Sequence, residues 1–209
     1  MSAKKPILDD FYVDAVAEVL NVGMGSAAAS LSEMINDEVK LSVPGVEFVS
    51  RGIATDHINK KAKTDVSGVH QHFQGAFAGD AMLLFPEEQS LQLVRAALQQ
   101  EDMTLEDLSE MEQEAMTEIG NVILNSCLCS MADMFGKEML GEIPEFVQGS
   151  VEQVLTSDET KIKNTEAIVL LLNMNFSVDT KNIQGYVTFL MDVEEVLQLK
   201  TNIREFLGL

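Results

Sequence analysis

The stretch Asp14-Ala-Val-Ala-Glu18-Val-Leu-Asn21 returns one hundred residues later as Glu114-Ala-Met-Thr-Glu118-Ile-Gly-Asn121. On a helix of 3.6 residues per turn, positions 14, 18, 21 and 25 fall within about 60° of one another. One face therefore carries Asp14, Glu18, Asn21 and Gly25. Val16, Leu20, Gly23, Met24, Ala27, Leu31 and Met34 recur at steps of three and four on the opposite side, the pattern of a buried stripe. The polar residues face outward, and they do so twice.

The repeat extends beyond these helices. Setting residue n against n+100 from 14 to 44 matches Ala15, Glu18, Asn21, Val22, Ser26, Ser30, Met34, Glu38 and Pro44 without a gap. Farther on, Gly79, Leu84, Glu88 and Leu91-Gln-Leu93 match Gly185, Leu190, Glu194 and Leu197-Gln-Leu199. Each half reads as helix, strand, loop, strand pair, helix. One such unit leaves an apolar face uncovered, so the expected product is an α+β, layered fold. In it, two tandem repeats, about 10–100 and 105–209, form a single pseudo-twofold domain with a shared antiparallel sheet and long helices packed on it.

In chain order, the first helix spans 10–36, capped by Asp9 or Asp10 and ended by Asn36-Asp37. Val39–Val43 alternates like a strand and stops before Pro44. Residues 45–68 show no clear pattern, and the lysine-rich piece 59–63 reads as a solvated loop. Val69–Phe77 and Ala81–Phe85 read as strands joined at Gly79-Asp80, with glycine supplying a positive φ. Pro86 opens a helix to Gln99, with Glu87 and Glu88 at its positive end. Thr104-Leu-Glu-Asp107 resembles a capping box and starts a long helix to Phe135, where Gly136 ends it. A short strand over 138–143, a helical turn within 145–155, a polar loop over 156–164, strands at Ala167–Val178 and Gln184–Met191 around the turn 179–182, and a helix over 193–206 complete the chain.

With 46% hydrophobic residues and only four prolines, the chain has the makings of a sizeable core. It contains no apolar run of about 18 residues, and MSAKKPILDD lacks the apolar centre of a signal peptide, so a cytoplasmic protein without membrane insertion is expected. A net charge of −20, with no basic stripe, argues against nucleic acid or an anionic membrane and for a protein partner. Cys127 and Cys129 diverge on a helix and do not pair, which fits a reducing compartment.

A carboxylate and a carboxamide three residues apart on an exposed helix present a fixed anion beside a donor and an acceptor. That pair can hold a cation and orient a water. One copy is an ordinary feature of a wet helix face, and the duplication is what sets it apart.

Asp14, Glu18, Asn21 and Pro44, with Glu114, Glu118, Asn121 and Pro144, are the pattern by which the sequence resembles the CheC/CheX/FliY family of chemotaxis phosphatases. The resemblance spans nearly the whole chain. It implies hydrolysis of the aspartyl phosphate on CheY, the response regulator that signals to the flagellar motor. Glu18 and Glu118 would pair with the regulator's lysine, and Asn21 and Asn121 would set the attacking water in line with the acyl phosphate. No cofactor is implied for this chain, since Mg²⁺ is supplied by the bound regulator. Small residues at Gly25, Ala28 and Ala29 would let the partner's phosphorylated loop approach.

The second copy departs from the first, with Glu114 for Asp14, Asn125 for Gly25 and Leu128 for Ala28, so its surface is expected to be more crowded and the two sites unequal. The resemblance leaves a non-catalytic alternative, an adaptor that binds the receptor deamidase CheD or a flagellar-switch component. A switch component would need extra segments, for which only about ten residues precede the first helix. A monomer is expected, because the fused repeat supplies the pairing that a one-motif relative gets by dimerising.

Among the remaining residues, His70 and His72 share a strand face without an obvious third ligand and read as surface or core histidines. Cys127 falls in the buried stripe, while Cys129 lies at the margin of the polar face. Met24, Met34, Met116, Met131 and Met134 read as core. The four-residue spacing of Asp14 and Glu18 on one open helix offers no sugar cleft for a glycosidase.

Overall fold

The computed structural model describes residues 8–62, 65–99, 105–156, 167–178 and 181–209, with 105–110 as backbone only. In chain order the elements are α1 (Asp10–Ile35), β1 (Val39–Ser50), α2 (Arg51–Ala62), β2 (Val66–Gly75), β3 (Gly79–Pro86), α3 (Glu87–Leu98), α4 (Leu105–Phe135), β4 (Met139–Gly141), β5 (Glu145–Gly149), α5 (Val151–Thr156), β6 (Ile168–Val178), β7 (Lys181–Met191) and α6 (Val193–Phe206).

The strands form one antiparallel sheet in the order β1-β6-β7-β3-β2-β4, with β5 also paired to β2. Read from its ends, this order is a palindrome of the repeat. β7 and β3 meet at the centre, β6 and β2 flank them, and the edges are β1 and the β4/β5 pair. Each half thus lends its first strand to the other half's hairpin, because β1 pairs β6 and β5 pairs β2. The run Ile168-Val-Leu-Leu-Leu172 is almost uniformly apolar because both faces of β6 are covered. On one face lie α1, α3, α4 and α6 over Phe73, Phe85 and Phe189. On the other lie α2 and α5, burying Ala54, Ile58, Val151 and Leu155 against Met82 and Leu171. The architecture is the α+β, two-repeat arrangement with a shared sheet that the periodicity predicts.

Several boundaries differ from the expectation. β1 does not stop at Pro44 but runs on to Ser50. Its register slips by one residue between Ser42 and Gly45, and a proline in a bulge on an edge strand forfeits no ladder bond. The supposed lysine-rich loop belongs to a helix as far as Ala62, and Lys63 lies outside the described residues. Ala54, Ile58 and Ala62 anchor α2 at a spacing of four, while Lys60 and Lys61 stay wet at its carbonyl end. Gly79 is not the turn residue; it pairs with Phe73 inside the ladder, and the positive φ belongs to Gly75, at 140°. Glu145–Gly149 is a strand rather than part of a helical turn, which is confined to α5. Met34 is exposed, and Ile35 takes its place in the buried stripe of α1. Thr104, most of the polar loop at 156–164 and residues 179–180 of the second turn fall outside the described residues. Among the described residues, no helix is long and apolar enough to cross a membrane.

The long helices α1 and α4 run antiparallel. Gly23 meets Ser126 and Cys127, whereas Met34 and Ile35 lie beside Met111–Ile119. A Cβ on Gly23 would stand 2.9 Å from the carbonyl oxygen of Ser126 and 3.0 Å from Cα of Cys127, both backbone atoms that cannot step aside. Gly25, two residues on, has nothing within 4 Å of where a Cβ would point. Gly23→Ala is therefore expected to cost about 1–3 kcal/mol by forcing the helices apart, lowering Tm by roughly 2–4 °C per kcal/mol for a chain of this size. Gly25→Ala is expected to gain up to about 1 kcal/mol from helix propensity. Thermal melts of the two variants check both signs.

Candidate active site

Asp14, Glu18 and Asn21 are all exposed on α1, on the face away from Val16, Leu20 and Met24. Glu114 and Glu118 are exposed on α4, and Asn121 is half-buried. Opposite helix directions carry the two pairs apart. Glu18 and Glu118 each lie about seven residues from the crossing, on opposite sides, which at 1.5 Å per residue separates them by roughly 20 Å. The structure therefore gathers each Glu/Asn pair on its own surface and does not merge the two into one cleft. Pro44 is exposed in the β1 bulge, while Pro144 is buried between β4 and β5.

The surroundings of the two pairs are unlike. Beside Glu18 and Asn21, position 25 is open and Ala29 is exposed, so the helix face offers little relief. Beside Glu118, a groove of about 340 Å³ is lined by Met34, Ala97, Met111, Glu114 and Ala115 among others. Asn121 is also tied down. Asn125 Nδ2 donates to Asn121 Oδ1 at 2.6 Å, and Gln71 Nε2, from β2, donates to Asn125 Oδ1 at 3.0 Å. Leu128, expected to crowd this surface, is buried in the core instead. Gln71 carries no signal in the sequence, since its distance of 54 residues from Asn125 hides the contact.

The CheC-like family profile matches residues 13–47, a span that holds Glu18, Asn21 and Pro44. The CheY-P phosphatase CheC of Bacillus subtilis is 27% identical over 135 residues, 64% of this chain and 64% of that protein. The flagellar motor switch phosphatase FliY of the same organism is 22% identical over 197 residues, 89% of this chain and 49% of that protein. The chain thus spans less than two thirds of either relative's length. The crystal structure of Thermotoga maritima FliY superposes with a TM-score of 0.76 at 17% identity, covering 95% of this chain and 98% of that one. The chain is similar to CheC-like proteins in sequence and to FliY in fold. Within the matched span, the motif residues Glu18 and Asn21 stand on the solvent side of α1.

Elsewhere, His70 is the core histidine expected, but the expectation that no third group stands beside the two histidines needs correcting. A third group does stand beside them: His70 Nε2 and His72 Nδ1 both lie 3.0 Å from Oδ1 of Asp80, which is wholly buried on the neighbouring strand β3. A carboxylate only accepts, so each imidazole carries a proton on the nitrogen that faces Asp80. Among the described residues no cluster of three His, Cys, Asp or Glu is arranged to hold a metal ion. Cys127 is buried, which pushes its thiol up to about 12, and Cys129 is exposed.

Burial pushes the Asp80 carboxyl up, but the hydrogen bonds and the electrostatic attraction from His70 and His72 together outweigh it and hold the group below the ordinary aspartate range. A folded-state value below the unfolded one contributes stability that is complete above the unfolded value and is lost as pH falls through the folded one. Asp80→Asn is accordingly expected to lower the urea midpoint at neutral pH. The gap from the unsubstituted chain should narrow as the pH drops below about 4, the ordinary aspartate range. Urea titrations at a series of pH values from neutrality to below that point measure this gap.

Proposed function

We propose that the chain is a protein aspartyl-phosphate phosphatase acting on a CheY-type response regulator, with one Glu/Asn pair on each of two helices. The observation that carries this reading is the duplication itself: Glu18/Asn21 and Glu118/Asn121 have the same spacing and the same outward aspect on α1 and α4. The similarity to a protein named as a CheY-P phosphatase supports this substrate class.

An aspartyl phosphate is an acyl phosphate, so its hydrolysis needs a water brought in line with the leaving carboxylate and a means of holding the reacting group still. An exposed carboxylate does little for stability by itself. Closed under a docked partner, Glu18 or Glu118 gains a desolvated pairing with the regulator's active-site lysine and fixes the register of the complex. The carboxamide three residues on then lies over the phosphoryl group, where its N–H donors and carbonyl oxygen hold a water for attack. The regulator's own metal-binding residues would hold Mg²⁺, which would offset charge on the phosphoryl oxygens. The empty space above Gly25 suits close approach of the partner's loop to α1. The charge of −20 favours encounter with a basic partner surface and makes the association weaken with salt.

Incubating the chain with Mg²⁺ and a regulator charged by a small-molecule phosphodonor is expected to speed loss of phosphate well beyond the regulator's own rate. Changing both Glu18 and Glu118 to Ala should raise KM roughly tenfold, the equivalent of ~1.4 kcal/mol of lost docking. Binding of the phosphorylated regulator without any acceleration would contradict the phosphatase reading and favour a docking role.

A further inference from the structure

We infer that Gln71 and Asn125 are positioning residues of the second site, which hold the Asn121 carboxamide in one orientation through a hydrogen-bond chain anchored on the main-chain carbonyl of Glu142. The inference rests on the phosphatase reading and adds to it how one of the two asparagines is held.

The argument starts at the break between β4 and β5. Strand β4 pairs with β2 only as far as Gly141, and the N–H of Glu142 then donates to the carbonyl of His72 at 2.8 Å. The strand resumes at Glu145, and in the break between the two the carbonyl of Glu142 accepts from Nε2 of Gln71 at 2.7 Å. A carbonyl only accepts, so the end of the Gln71 amide that faces it must be the NH₂ group. The same nitrogen reaches Asn125 at 3.0 Å, so Asn125 must turn its oxygen to Gln71 and its nitrogen away. That nitrogen reaches Asn121 at 2.6 Å, so Asn121 in turn must present its oxygen to Asn125.

The direction of every amide follows from one backbone carbonyl, and reversing any of them sets two acceptors or two donors face to face. Asn121 is left with one lone pair on Oδ1 and both protons on Nδ2 to offer a water. Gly141 makes the relay possible, because a Cβ there would stand 2.2 Å from Gln71 Nε2.

Among the described residues, the first site has no such relay. Gly25 stands in the place of Asn125. In the sheet, Gly79 pairs with Phe73 and its repeat partner Gly185 pairs with Met174, which sets Leu172 in the place of Gln71. Leu172 has no amide to donate, and Gly25 has no side chain to pass a bond on. Asn21 is therefore oriented only when a partner docks, whereas Asn121 is oriented beforehand, and a nucleophile-positioning group gains in turnover from being fixed before the reaction.

The test uses the full chain carrying Asn21→Ala, so that only the second site turns over, with Gln71→Leu or Asn125→Ala added. Each addition is expected to lower kcat roughly tenfold or more while KM stays within about twofold. In a chain carrying Asn121→Ala instead, the same additions should leave turnover at the first site unchanged, which a general loss of fold would not. In ¹⁵N-labelled protein, Gln71→Leu should shift the side-chain amide resonances of Asn121, although Gln71 makes no hydrogen bond to it. If the unsubstituted chain shows no turnover, the phosphatase reading falls and the positioning role with it. If turnover is present but kcat in the Asn21→Ala chain survives both changes, or the Asn121 resonances do not move, the positioning role alone is overturned.

Discussion

Everything in this molecule depends on the exchange of first strands between its halves. β1 finishes the sheet beside β6, and β4 and β5 finish it beside β2, so neither half contains the neighbours that its own hairpin requires. The exchange forces α1 and α4, which precede the exchanged strands, to cross on one face of the sheet, and Gly23 lets them cross closely. Antiparallel crossing then turns two copies of one motif to opposite ends of a helix pair. A tandem duplication in sequence becomes a pair of separated surfaces in space.

The copies have diverged where the exchange has freedom to vary. At residues 42–45 the first copy carries a bulge and keeps its strand, whereas at 142–144 the second copy breaks the strand altogether. The bulge leaves Pro44 in solvent on an edge, while the break turns the Glu142 carbonyl toward Gln71. A small backbone difference thereby reaches the motif asparagine of α4 through two side-chain amides, while Asn21 on α1 is left without such support. The groove beside Glu118 differs in the same sense: exposed Met34 and Met111 give this second surface an apolar border that a partner would have to match.

The sequence made legible those features that rest on long, regular patterns. α1 and α4 declare themselves through stripes sustained over many turns, β6 and β7 through runs of apolar residues between turn signals, and the sheet's pseudo-symmetry through identities at a fixed displacement. The motif residues were found because they recur. α2 is not legible because only Ala54, Ile58 and Ala62 are buried, a stripe too thin to stand out among lysines. The far half of β1 was missed because a proline in a bulge looks like a strand end. The Asp80 contact to His70 and His72 is made across a strand pair, and the Gln71–Asn125 contact joins a strand to a helix; no local periodicity encodes either. The spacing of Met34 suits the buried stripe, yet α1 ends beside an open groove there and Ile35 turns inward instead.

The central claim is that two asparagines, on two separate surfaces, carry the same chemistry. Its most direct measurement is the rate of phosphate loss from phosphorylated regulator with Asn21→Ala, Asn121→Ala and the double variant, each kept at saturating concentration. Each single variant should retain part of the acceleration and the double variant none, falling by roughly a hundredfold toward the regulator's own rate. A double variant that still accelerates the loss as the unsubstituted chain does would contradict the account.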